Sequence, residues 1–136
     1  MNNTRFSTLI HILTLLGKRP EEWLSSEWIA TSIQTNPVIV RKELGFLQEK
    51  GWVVSKKGKD GGYMLNVSSC AISLADIYEV LQSTHVLGKK NDCSTTDCPI
   101  GQKINHVLDS LFQETDHILY QSLAQKSLKS FVDQFD

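Results

Sequence analysis

The chain is poor in the residues that staple or break small folds: of 136 positions, three are cysteine and three proline. An odd, small cysteine count excludes a disulfide-framed secreted domain. No apolar run approaches the roughly 18 residues of a membrane helix. From Met1 to Gly17 the apolar residues alternate with polar ones and the only charge is Arg5, so no signal peptide is expected. Charge of one sign is not in excess either, since the formal net charge is −1 with 21% charged residues, which argues against disorder. What remains is about one domain of ordinary composition, expected to be cytoplasmic.

Catalytic groupings are missing too. His11, His85, His106 and His117 are scattered, with no HExxH pair and no acidic partner at motif spacing. Gly58-Lys59 is no phosphate loop, because no Ser/Thr-led helix follows it. No catalytic or metal-ligating residue is assigned, and an enzyme is not expected.

The near-neutral total hides an uneven distribution. Residues 1–35 balance, residues 67–136 carry −4, and residues 36–66 carry +3 from Arg41, Lys42, Lys50, Lys56, Lys57 and Lys59 against Glu43, Glu49 and Asp60. Local charge decides where a phosphate backbone can dock, although a lysine-rich solvated surface would look the same.

That basic stretch coincides with a recognisable order of elements. Phe6, Leu9, Ile10, Leu13 and Leu16 recur at helical spacing, with Gly17 and Pro20 expected to stop the helix. Ser25 or Ser26 can cap a second, short helix with Trp28, Ile29 and Ile33 inward. Asn36-Pro37 opens a third, in which Val40, Leu44 and Leu47 form the inward stripe and Gly51 ends it. Val38, Ile39, Arg41 and Lys42 fall off that stripe. Either the outer face is merely sticky, or its bases and apolar tips meet base edges and thymine methyls in a major groove. Trp52 to Ser55 and Gly62 to Asn66 can pair as a hairpin around a tip bearing Lys56, Lys57 and Lys59. Helix-turn-helix followed by a basic hairpin is the layout of a winged helix.

Leu44-x-x-Leu47-x-x-x-Gly51, Val53 and Lys57-Gly58-x-x-Gly61-Gly62-Tyr63-x-Leu65 resemble the Rrf-two (Rrf2) family of bacterial transcription regulators, the IscR, NsrR and CymR type. The resemblance extends to a Ser73-Leu74-x-Asp76-Ile77 helix start, a cysteine-bearing loop and a long helix near the C-terminus. It implies a homodimer on double-stranded DNA, each subunit reading one half of a pseudo-palindromic operator, acting as a repressor. Where the family has arginine before the first wing glycine, this chain has Lys57, which neutralises phosphate without a flat guanidinium.

After Ser73-Asp76, a capping pair, the polar stretch from Gly88 to Asp97 reads as a loop, and Pro99 opens a helix to about Ala124. At about 1.5 Å per residue it runs about 39 Å, more than a small domain can cover. Ile104, Val107, Leu108, Leu111 and Ile118 are expected to meet their copies in a second subunit; an intrachain hairpin is the alternative. Ser127 can cap a last short helix with Leu128, Phe131, Val132 and Phe135 inward.

Cluster-binding relatives carry three cysteines in the loop, whereas this chain has Cys93 and Cys98, with none at 99–110. Four ligands are normal for an iron–sulfur cluster, so no such cofactor is expected. Cys93 and Cys98 are instead candidates for a redox switch. Cys98 stands at a helix start among Lys89, Lys90 and Lys103, a setting that favours thiolate, with Cys93 placed to resolve it. Cys70 is expected to pack as a small hydrophobe.

The fold expected is thus mainly α with a small β-hairpin. Residues 1–67 form a winged helix-turn-helix DNA-binding domain, and 68–136 a helical dimerisation and sensor-loop region. The DNA-contacting set is Ser25, Ser26, Asn36, Val38, Ile39, Arg41, Lys42, Lys56, Lys57 and Lys59. The rival reading is a winged helix that docks another protein without sequence-specific DNA binding. No motif names a small-molecule or protein effector.

Overall fold

Apolar stripes fix the first three helices, and side-chain caps start the second and third. In the computed structural model, which describes residues 4–81, 85–91 and 98–135, α1 (Arg5–Lys18) buries Leu9, Ile12, Leu13 and Leu16 completely. Gly17 does not end this helix but lies within it. A Cβ there would stand 3.1 Å from Val132, so the bare backbone lets the C-terminal helix approach. α2 (Ser26–Ile33) starts at Ser25, whose hydroxyl oxygen accepts from the Trp28 N–H at 3.1 Å. Gln34, left-handed at φ 64°, closes it and turns the chain into α3 (Pro37–Glu49). Asn36 Oδ1 caps α3 by accepting from the Val38 N–H at 2.8 Å, and Val40, Leu44 and Leu47 form its buried stripe.

β1 (Val53–Lys56) and β2 (Gly62–Leu65) pair antiparallel, with Val53 opposite Leu65 and Lys56 opposite Gly62. Leu24, from the α1–α2 connection, adds a rung: it donates to the Tyr63 carbonyl at 3.0 Å and accepts from the Tyr63 N–H at 2.8 Å. Gly62 makes that approach possible, because at φ 153° any Cβ would lie 2.6 Å from the Leu24 carbonyl.

A 3-10 turn (Ser69–Ala71) leads to α4 (Leu74–Val80), whose Ser73–Asp76 capping box is complete in both directions at 3.0 Å. α5 (Pro99–Ala124) and α6 (Leu128–Val132) follow. Backbone bonds from Leu74 to the Lys126 carbonyl and from Leu128 to the Ile72 carbonyl dock α6 beside α4. Ile72, Ile77, Leu128 and Val132 join the same core as Leu9, Leu13, Leu44 and Val53, so the packing runs across residue 67. Three side chains expected inside are outside. Cys70 is exposed in its 3-10 turn. Trp28 is 38% and Phe135 48% exposed. Trp28 leaves the core because the Arg19 guanidinium covers its ring from outside, 4.7 Å from the centroid. Phe135 follows the end of α6 and packs on Phe131 instead, ring to ring at 5.5 Å.

One polar side of α5 clasps residues 85–91. Asn105 donates to the Asn91 carbonyl, Asp109 pairs with Lys90, and Phe112 meets the His85 ring at 5.2 Å. Asp116 takes the His85 ring nitrogen at 2.5 Å and the Val86 N–H at 2.9 Å. The Val86 N–H, then the His85 ring, hold the Asp116 carboxyl below the ordinary carboxylate range. A depressed folded value means the stabilisation is complete above the ordinary value, about 4, and is lost as pH falls through the depressed one. The Asp116 side-chain carboxyl carbon should therefore titrate below the ordinary carboxylate midpoint of about 4. Asp116→Asn should remove that acid step, and an Asp116 midpoint at or above the ordinary value in the wild type would refute this assignment.

Candidate nucleic-acid interface

The outer face of α3 is more apolar than solvent requires. Val38 is 60% and Ile39 46% exposed, one turn from the exposed Arg41 and Lys42. Beneath them Val40, Leu44 and Leu47 hold the helix on the core, so outer substitutions need not disturb it. Arg41 is not loose. Its guanidinium donates to Glu27 Oε2 at 3.1 Å and to Ser26 Oγ at 3.2 Å, tying α3 to the first turn of α2. Ser26 itself is buried, its hydroxyl lying between Arg41 and Glu27, so its side chain is not offered to a phosphate. Ser25 and Asn36 both use side-chain oxygen to cap helices, which leaves the Ser25 O–H and the Asn36 amide N–H to donate outward.

The hairpin continues this surface. Lys56, Lys57 and Lys59 are exposed, with the Lys56 ammonium 5.8 Å from the Trp23 ring centroid. A cleft lined by Arg19, Trp28, Ser25 and Lys59 joins the wing tip to the start of α2. Arg41 thus reaches the start of α2, and Ser25 there shares a cleft with Lys59 of the wing, a surface that also carries the acidic Glu27 and Asp60. Arg19, Trp23 and Trp28 join that surface without having been expected there. A cation resting on an indole across a short loop leaves no periodic trace, and helical spacing assigned Trp28 to the core. Glu43, counted against the basic patch, is buried and paired with Arg5.

Away from this surface, Ile104, Val107, Leu111 and Ile118 are exposed along one side of α5, joined by Ile100, while Leu108 is half-buried beside the stripe. Phe112 alone on this helix is buried. Cys98 is exposed at the N-cap of α5 and makes no side-chain cap bond. Cys93 lies outside the described residues. No helix among the described residues is long and apolar enough to cross a membrane.

Residues 2–134 match the model of the Rrf2 family, described as an iron-dependent transcriptional regulator. Over 133 residues, 98% of either chain, the sequence is 35% identical to the provisionally named HTH-type transcriptional regulator YwnA of Bacillus subtilis strain 168. CymR (YrzC), the global cysteine regulator of B. subtilis, is similar in structure with a TM-score of 0.74, covering 100% of this chain and 98% of that one at 20% identity. T. potens IscR gives the same score and identity over 100% of this chain and 88% of its own. At that identity the two structures speak for the fold.

The iron in the family description meets a poor donor set here. The chain has three cysteines, of which Cys70 sits in the 3-10 turn and Cys98 at the α5 N-cap. Among the described residues no three His, Cys, Asp or Glu side chains are grouped to hold a metal ion. An ordinary cluster takes four ligands, mostly thiolates, against three cysteines in the whole chain, and Cys70 and Cys98 alone do not fit it.

Proposed function

The chain belongs to the Rrf2 family of DNA-binding transcription regulators, not enzymes, and from that premise we propose that it acts as a cytoplasmic homodimeric repressor of a pseudo-palindromic operator. The observation supporting this reading is that Arg41, beside the exposed Val38, Ile39 and Lys42 of α3, bonds to the start of α2, where Ser25 shares a cleft with wing Lys59. Val38, Ile39, Arg41 and Lys42 enter the major groove, while Lys56, Lys57 and Lys59 hold the neighbouring backbone. Residues 1–67 supply this reading surface, and 68–136 the dimer helix and the sensor loop. The exposed stripe of α5 supports the dimer, since the described residues of its own chain leave Ile104, Val107, Leu111 and Ile118 open.

Oxidation is the proposed input. Peroxide converts the exposed Cys98 thiolate to sulfenic acid, its reduced oxygen leaving as hydroxide. Condensation with the Cys93 thiol then forms the disulfide and releases water. A bridge there would reshape the loop before α5 and so alter the spacing of the two reading helices. The reduced protein is expected to bind no iron.

One titration series tests the whole reading. Arg41→Ala should cost about 1–3 kcal/mol on the operator and relax preference at one base position. Lys57→Ala should weaken binding to every duplex and flatten the salt slope by about one unit. Peroxide should change operator affinity in the wild type and not in Cys98→Ser. Affinity that ignores salt and both substitutions would favour the protein-docking alternative. A brown protein with stoichiometric iron would replace the thiol switch by a cluster.

A further inference from the structure

We propose that the groove between α1 and α6 is a binding site for a small amphipathic carboxylate. It lies apart from the DNA-reading surface and from the exposed stripe of α5. The groove encloses about 330 Å³, at the small end of the range for ligand sites, about 300–1,000 Å³. Ile10 and Leu15 form one wall, and Phe131 with Phe135 the other. The two rings are tilted against each other, and Phe135 leaves 48% of its surface open to the groove side and solvent. Apolar surface held open in this way is what a ring or short alkyl chain would cover.

The polar groups of the groove point to the charge of the ligand. Thr14 spends its hydroxyl proton on the Ile10 carbonyl at 2.6 Å, and His11 is engaged with Ser32 of α2 at 3.1 Å. Lys18, one turn beyond Thr14, brings an ammonium to the lining and has no ion-pair partner among the described residues. No acidic side chain is among the described residues lining the groove. An apolar trough with one cation at its end complements a body of a few carbons that carries a carboxylate. The walls are preformed, since α6 is held by the Gly17–Val132 contact and His11 by its bond to α2.

The test uses the full chain without DNA, so its outcome is independent of the operator reading. Phenylacetate and its neutral counterpart phenylacetamide serve as probes, read by amide chemical shifts. Phenylacetate should give saturable shifts at residues 7–18 and 131–135 and bind roughly tenfold tighter than the amide. Lys18→Met should bring phenylacetate down to the amide's affinity. Ser7→Trp, at an exposed position on the groove's rim, should abolish both while leaving the thermal midpoint unchanged. Equal binding of acid and amide to the wild type, or indifference to Lys18→Met, would overturn the proposal. So would the absence of saturable shifts, or shifts that follow protein concentration instead of probe, which would seat a second copy in the groove.

Discussion

Arg5→Ala should lower the unfolding free energy by about 2–4 kcal/mol. Arg5 Nε donates to both Glu43 oxygens, at 3.1 and 2.9 Å, and Nη1 reaches the Leu81 carbonyl at 3.4 Å. The Glu43 side chain is only 6% exposed, so removing the guanidinium strands a carboxylate in the protein interior. Breaking a fully buried pair from one side costs about 3–5 kcal/mol, and the partial exposure of Arg5 brings the expectation below that. The guanidinium also covers the Phe46 ring, 4.7 Å from its centroid, so packing is lost along with charge. Replacing both partners, Arg5→Met with Glu43→Leu, should recover most of the loss, because neither charge is then left alone. Urea unfolding at fixed protomer concentration measures both. An unchanged midpoint in Arg5→Ala would show that the pair contributes nothing.

If the chain assembles through α5 as proposed, Leu111→Lys with Ile118→Lys should turn that dimer into monomer. Both positions are on the exposed stripe, 48% and 60% open in the single chain, so the variant should retain wild-type helix content by circular dichroism. In an assembled seam each chain would instead bury two unpaired ammonium groups. We expect a cost of about 4 kcal/mol or more, roughly a thousandfold in dimer dissociation. Sedimentation should show one chain, and operator affinity should fall because half-site contacts are no longer paired. A wild-type protein that sediments as a monomer at micromolar concentration would refute the assembly.

These two predictions rest on features of very different visibility. The helical spacing of the α5 stripe, the Asn36, Ser73 and Ser127 caps and the glycine-bearing wing are legible because each is a local pattern, while the choice between Ser25 and Ser26 as the second cap needed the fold. The Arg5–Glu43 pair could not. Its partners are 38 positions apart, and a charged residue on a helix reads as surface until the fold places it. Trp28 and Phe135 were misplaced for the complementary reason: periodicity cannot tell a core aromatic from one covered by an arginine or a neighbouring ring. The basic face was legible as composition. That Glu27 would hold Arg41 from the side was not, since it depends on how α2 meets α3.

The clasp of Asn105, Asp109, Phe112 and Asp116 and the apolar stripe of Ile100, Ile104, Val107, Leu111 and Ile118 occupy nearly opposite sides of one rod. Each residue added to a helix turns everything beyond it by about 100°. Deleting one residue between Asn105 and Leu111 would swing Asp116 toward the apolar side, and inserting one would carry Ile118 toward the clasp. Drift in composition along this rod can be gradual, one side chain at a time. A change in its length cannot, because a single codon gained or lost would misalign both faces together.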